Sequence, residues 1–311
     1  MRALLAGRIL ASVERPEAEA WIEAHVKPTG TLELVHHRPW ATVVRVPLAD
    51  GVAWFKVCGR LQAFEPALTA ELYARWPDRV AEVLAYDVSR GWLLTADAGT
   101  RIGDLGNLPD YWLAILPLYA ELQQSEAEHV LDHLAHGVPD LRLETLPARF
   151  GELMRPDLPL EREDRERLRV FAPRFERLCG ELSSGTPETI QHDDLHMNNV
   201  FVQGERLRVL DWGDSSVSHP FASLVATLRF LEERNGIGEH DPRRARIRDA
   251  YLEPWGSGLA EVFELAVRVG AFAYAIAALR QRAVLNGAAR DHFDQDLAIR
   301  LRRAVFQATG S

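Results

Sequence analysis

Hydrophobic periodicity changes once along this chain, near residue 97, and that change limits the architectures open to it. Before it lie short runs rich in β-branched and aromatic residues, Thr31–Val35, Ala41–Pro47 and Val52–Val57, with Asp50-Gly51 as a turn between the second and third. Two more runs, Val80–Tyr86 and Trp92–Thr95, flank a turn at Ser89-Arg90-Gly91. Between the two sets, Pro66–Trp76 repeats apolar residues at helical spacing, with Leu68 and Leu72 one turn apart and Pro66 tolerated in the first turn. Five strands joined by short connections and interrupted by one helix predict an antiparallel sheet.

From Ala96 onward the period is 3.6. Helices are expected over Tyr111–Gly137, Leu146–Met154, Glu161–Ser183, Phe221–Asn235, Pro242–Leu252, Gly258–Leu285 and Arg290–Ala308. The exception is a small hairpin, Val200–Val202 and Leu207–Leu210, turned at Gln203-Gly204-Glu205. A sheet followed by a helical body predicts an α+β fold in two lobes, residues 1–97 and 98–311.

Composition narrows the function. With 47% hydrophobic and 26% charged residues, 311 residues can bury a substantial core. A formal charge of -9 argues against a general polyanion-binding surface, so nucleic acid is not an expected partner. Cys58 and Cys179 are the only cysteines and neither has the neighbours of a finger-like zinc pattern, so a reducing cytoplasm is the expected location. The opening MRALLAGRILASVERPEAEA has Arg8 and Glu14 interrupting its apolar run, unlike a secretory signal. Val262–Leu279 contains Glu264 and Arg268 and reads as a buried helix, so no membrane is expected as partner.

The residues that can carry chemistry concentrate in Gln191–Leu224, QHDDLHMNNVFVQGERLRVLDWGDSSVSHPFASL. His192, Asp194 and Asn199 fit H-x-D-x-x-x-x-N, and Asp211-Trp212-Gly213 follows the second hairpin strand. On these residues the chain resembles the aminoglycoside phosphotransferase family, small-molecule kinases that share the protein-kinase fold. The loop of that family commonly reads H-G-D-L-H-x-x-N and the later segment D-W-E or D-W-G. Asp193 stands here where a small residue is usual, and Asn198 where Gly is frequent. The resemblance implies a bilobal protein-kinase-like fold, with a nucleotide-binding N-lobe sheet and a mainly α-helical C-lobe for catalysis and substrate. It also implies ATP as donor, with Mg2+.

Phosphoryl transfer asks a protein for positioning, charge neutralisation and a partner for the acceptor hydroxyl. Asp211 and Asn199 are hard oxygen ligands suited to Mg2+, which keeps several waters and bridges nucleotide phosphates. Asp194 would accept the hydroxyl proton, and His192 would hold the loop by hydrogen bonds. The hairpin between Asn199 and Asp211 lets residues 12 apart converge. Single Asp and Asn residues in loops are commonly turn formers or caps, and it is the combination that points to a site.

A kinase-like enzyme also needs a lysine on its third strand to hold the α and β phosphates. Lys27 and Lys56 are the only lysines, and Lys56 sits in Trp54-Phe55-Lys56-Val57. Its glutamate partner should come from the following helix. Glu65 shares the Leu68 and Leu72 stripe, and the resemblance places this glutamate some 12 residues before the proline that Pro77 matches; Glu71 is the runner-up. The glycine-rich cover of protein kinases is missing, since the segment reads His36-His37-Arg38-Pro39-Trp40-Ala41-Thr42. Arg38, Trp40 and Thr42 are expected near the phosphates. Adenine would lie against backbone groups of Thr95, Ala96 and Ala98, where small side chains allow close approach.

His196 fits two readings, a histidine supporting the loop or a ligand of a hydrolytic transition-metal site with His192 and Asp194. His219-Pro220 is expected to open a helix, and Asp214 is a further candidate for supporting the metal loop. The sequence thus predicts an ATP- and Mg2+-dependent phosphotransferase acting on a hydroxyl of a small molecule. Acidic residues in the helices after Phe221 would suit a cationic acceptor such as an aminoglycoside, another antibiotic or an amino alcohol. The alternatives are a nucleotide-binding pseudokinase or scaffold and a metal-dependent hydrolase.

Overall fold

A computed structural model describes residues 15–183 and 185–309, so most of the opening stretch weighed as a signal lies outside the described residues. The chain divides into two compact units: residues up to Thr100 together with Phe201–Gly213, and Arg101–Val200 together with Asp214–Ser311.

The first unit is built on a five-stranded antiparallel sheet in the order β1-β2-β3-β5-β4, comprising β1 (Glu33–His37), β2 (Ala41–Leu48), β3 (Gly51–Cys58), β4 (Val83–Asp87) and β5 (Trp92–Ala96). Alternation along β2 and β3 sends Val44, Val46, Ala53 and Phe55 into a buried cluster with Trp92 and Leu94. A helix that the sequence reading did not anticipate, α1 (Arg15–His25), covers this face with Ala18, Ile22 and Trp21. Trp21, Phe55 and Trp92 meet with ring centroids 5.5–5.8 Å apart. Lys56 therefore points to the opposite face of β3 from Phe55. The predicted fourth run begins later than expected, because Val80 bridges Val209 of the hairpin and strand pairing starts at Val83.

The helix after β3, α2 (Glu65–Arg75), carries Pro66 in its first turn and buries Glu65, Leu68, Thr69 and Leu72. The hairpin strands Val200–Gln203 and Arg206–Val209 form as predicted. Its close approach to the segment after β5 demands a glycine: Gly99 has φ +91°, and a Cβ there would lie 2.3 Å from the Val202 carbonyl oxygen.

The second unit is helical: α3 (Pro109–Glu126), α4 (Arg162–Leu182), α5 (Leu224–Asn235), α6 (Pro242–Leu252), α7 (Ala260–Arg282) and α8 (Gly287–Thr309) are its long elements. The run Tyr111–Gly137 is not one helix, since α3 gives way to a 3-10 turn at Ala127–His129 and a short helix at Val130–Ala135. Leu146–Met154 is one α-helical turn running into a 3-10 turn. Helix α7 is long and apolar enough to cross a membrane by length and composition. Its Phe272 instead packs among Phe150, Phe171 and Phe175 at 5.2–5.5 Å, the place of a core helix. Two short strands absent from the sequence reading, Thr189–Gln191 and Ser216–Ser218, pair antiparallel and lead into the Gln191–Leu224 segment from both ends.

Gly99→Ala is expected to lose about 1–3 kcal/mol, since it strains both the backbone angle and the hairpin contact. Chemical denaturation would read this as a lower midpoint, and an unchanged midpoint would contradict the close approach.

Candidate active site

Two constellations of the predicted residues form, one in each unit. In the first, Lys56 Nζ donates to both oxygens of Glu65, at 2.7 and 2.6 Å, and to Asp211 Oδ1 at 2.6 Å. Strand β3 supplies the lysine, the first turn of α2 the glutamate, and the end of the hairpin the aspartate. Glu71 lies on the same helix beside Arg75, at 3.9 Å. Burial alone would lower the Lys56 pKa, but the carboxylates of Asp211 and Glu65 overcome it and hold the ammonium well above its ordinary value. Burial pushes the Glu65 carboxyl up, and Lys56 pulls against it. Cys58 donates its thiol to Glu65 Oε2 at 3.3 Å.

Glu65 is buried, whereas the Asp211 side chain is 52% exposed, so one carboxylate of the clasp is walled in and the other faces open space. Asp211 has φ +67°, an unusual conformation for a residue with a side chain. Gly213 follows because a Cβ there would meet Gln62 and Glu65 at 2.5–2.6 Å. Without a glycine cover, the β1–β2 turn is closed by backbone bonds between Arg38 and Ala41, and Trp40 accepts from the Gly59 N–H. Thr42 is buried and its hydroxyl is 2.7 Å from His37 Nδ1. His36 feels Asp211, Arg38 and Lys56, although burial chiefly lowers its pKa. In the segment expected to face adenine, the Ala96 N–H is taken by the Glu82 carbonyl. The Trp54 indole anchors Asp97 at 3.0 Å, and Ala98 is buried.

The second constellation is the loop from His192 to Asn199. Asn199 Nδ2 donates to the Asp194 carbonyl at 2.9 Å and to Asp194 Oδ2 at 3.2 Å. His196 Nδ1 accepts from the Asn198 N–H at 3.1 Å, which leaves the ring proton on Nε2 to face Asp194 Oδ2 at 3.2 Å. Both contacts fall on one oxygen, so Asp194 Oδ1 has no protein partner among the described residues. His192 is buried, and its Nδ1 accepts from the Asp194 N–H at 3.3 Å. Among the described residues no three His, Cys, Asp or Glu side chains gather as a metal cage, so the hydrolytic reading of His196 gains no support. A Mg2+ site needs no such cage, because phosphates and waters complete its shell. Asn199, with its amide nitrogen engaged, and the open carboxylate of Asp211 are oxygen donors of the right kind.

Sequence reasoning missed the residues that hold this loop. The Tyr119 hydroxyl accepts from the His192 N–H at 3.0 Å and meets the Ser223 hydroxyl at 2.9 Å. Gln123, one turn along α3, donates to the Ile190 carbonyl and to Ser223, and accepts from the Tyr251 hydroxyl. Thr227 donates to the Leu195 carbonyl at 2.6 Å. Polar residues one turn apart on an otherwise apolar helix were the available signal. His219 caps the turn that opens at Pro220 by accepting from the Phe221 N–H, as its position predicted, and burial lowers its pKa to about 4. Asp214 accepts from Gln281 at 3.0 Å.

Asp193, the departure from the family loop, is buried with φ +59° and one oxygen unpartnered. Burial pushes its pKa up to about 7, with Asp214 and Asp194 adding to the rise while Ser216 and Arg280 oppose it. Between about pH 4 and 7 the folded protein thus holds a proton that the unfolded chain releases, and stability falls as pH rises across that window. Asp193→Asn is expected to gain stability over the parent between pH 5 and pH 8, by roughly 1.4 kcal/mol per unit of displacement. Denaturation at both pH values measures this, and equal differences at the two would contradict it.

No curated protein matches the chain. Solved structures do, at low identity. The choline kinase LicA from Streptococcus pneumoniae superimposes with a TM-score of 0.63 at 13% identity, over 94% of this chain and 99% of that one. A choline/ethanolamine kinase family protein from Mesorhizobium loti gives 0.65 at 17%, over 93% and 94%. The GDP complex of aminoglycoside 2'-phosphotransferase-IIIa gives 0.65 at 14%, over 96% and 100%. These likenesses establish the kinase-like fold. The model of the phosphotransferase enzyme family, APH, matches residues 52–265, well over half of the chain. With the loop, the hairpin and the lysine clasp all inside that match, the chain belongs to the APH phosphotransferase family as a small-molecule kinase.

Proposed function

We propose that the protein transfers the γ-phosphoryl group of ATP, with Mg2+, to a hydroxyl of a small molecule. What carries the reading is the open oxygen of Asp194, fixed by two donors on its other oxygen, in a chain that also holds an ammonium between two carboxylates. In the transfer, the acceptor oxygen bonds to the γ-phosphorus, the bond to the β-γ bridging oxygen breaks, ADP leaves, and the hydroxyl proton passes to Asp194 Oδ1. Bound Mg2+ would neutralise charge on the phosphates, with Asn199 and Asp211 as its protein ligands. Lys56 would hold the α and β phosphates while Glu65 keeps it oriented.

The first lobe, residues 1–97, would bind nucleotide and residues 98–311 the acceptor. Because the Ala96 N–H is already used, Ala98 is the donor we assign to the adenine edge, with Thr95 and Ala96 forming the slot wall. Thr42 and His37 would stand in for the missing glycine cover. His192 and His196 serve the loop and do not react. Both cysteines are buried and free, which suits a reducing cytoplasm. Structurally similar proteins include a choline kinase, a choline/ethanolamine kinase family protein and an aminoglycoside phosphotransferase, so an amino alcohol or an antibiotic is a natural first trial acceptor, and a role in antibiotic resistance one of the uses to test.

Asp194→Asn is expected to lower kcat for ADP release by roughly 10²–10⁴-fold while ATP affinity stays within a factor of two. Retained turnover would refute the proton-acceptor role. ATP binding without transfer to any hydroxyl compound in a broad panel would favour the pseudokinase reading instead.

A further inference from the structure

A cavity of about 90 Å³ opens in the second unit between α5, α6, α7 and α8. A water needs only about 10–15 Å³ of such space, so the cavity admits a small charged group. Its polar lining is Arg229, Arg244, Arg300, Arg303, Glu232 and Tyr274, four cations against one anion. The sign is opposite to the acidic acceptor pocket expected from the helices after Phe221.

Compensation inside the protein is partial. Arg303 pairs with Glu232 and Arg300 with Asp296. Arg229 has only Glu233, at 3.7 Å, and Arg244 makes no ion pair among the described residues. The Nε groups of Arg229 and Arg300 are buried without acceptors. Unmet guanidinium donors in a partly buried site are costly, and a carboxylate or phosphate meets them in a two-pronged geometry that an ammonium group cannot.

Contacts run continuously from this cavity to Asp194. Asp194 Oδ2 meets His196, the His196 ring lies 4.5 Å from the Phe230 ring, and the Arg229 guanidinium sits 4.4 Å over that same ring. Tyr274, 3.5 Å from Arg229 and under the Arg300 guanidinium, has a pKa raised chiefly by burial, with the Arg300 charge lowering it and the Asp194 charge raising it. The cavity-lining Arg229 is thus linked to the Asp194 loop through Phe230 and His196.

Resting on the kinase reading above, we propose that the acceptor is a hydroxyl compound bearing a carboxylate or phosphate group, and that Arg229, Arg244 and Arg300 bind that anionic group. Specificity would come from rejecting cations, whose burial beside three guanidiniums is repelled.

Two measurements on the full chain separate this proposal from the kinase reading. The first titrates inorganic phosphate and follows its 31P line width. Saturable binding should survive Lys56→Met and weaken about tenfold or more in Arg244→Gln and Arg229→Gln. Absence of saturable binding, or binding lost only in Lys56→Met, overturns the anion pocket. The second follows ADP release with glycerate and glycerol 3-phosphate beside glycerol, choline and kanamycin. Turnover should favour glycerate or glycerol 3-phosphate over glycerol by about tenfold or more, and which of the two is preferred tells carboxylate from phosphate. Arg244→Gln should remove that preference through KM. A preference for choline or kanamycin that Arg244→Gln leaves intact overturns the assigned substrate class. Phosphate binding of the expected pattern with no turnover of any compound supports the pocket and counts against the kinase reading.

Discussion

A single ammonium held by two carboxylates of different exposure organises the first unit of this protein. Lys56 is desolvated, and it stays charged because Glu65 and Asp211 both lie within 2.7 Å. Glu65 is buried, and a Cβ at Gly213 would press on it, so its contact with Lys56 is shielded from solvent. Asp211 is the more exposed of the two carboxylates and is held at a positive φ. A phosphate arriving at Lys56 would meet an ammonium already desolvated and aimed, with little reorganisation left to do. Strand order follows from the same requirement, since β3 is central, paired on both sides, and presents Lys56 away from the Phe55 core.

The loop of the second unit is held by hydrogen bonds to backbone. The His192–Asn199 loop runs from the strand Thr189–Gln191 to the hairpin strand Val200–Gln203 and is fastened by Tyr119 at its start and Thr227 at its middle. Polar groups this deeply buried are stable only when satisfied, and the Tyr119, Gln123, Ser223 and Tyr251 network is satisfied throughout. Asp193 departs from that rule, with a carboxyl oxygen unpartnered in a position where the family keeps a small residue.

Much of this was legible in the sequence for local reasons. Lys56 stood out as one of only two lysines, set in the third strand run, and Glu65 because it shares the Leu68 and Leu72 stripe. The loop and the D-W-G segment were readable because their chemistry is written in contiguous residues. What escaped was assembled from distant ones. Tyr119 and Gln123 look like ordinary polar residues until α3 is buried. Arg229, Arg244, Arg300 and Arg303 lie on three helices and are lost among 34 arginines. Helix α1 was missed because its apolar stripe is short, and the break after Glu126 because no Gly or Pro marks it.

A crystal structure with Mg2+ and a non-hydrolysable ATP analogue tests the central claim most directly. The account predicts Lys56 on the α and β phosphates with Glu65 still bonded to it, Asp211 and Asn199 on the cation, and Asp194 Oδ1 facing the terminal phosphate. A nucleotide bound away from Lys56, or an Asp194 turned from the terminal phosphate with the cation held by other side chains, would contradict it.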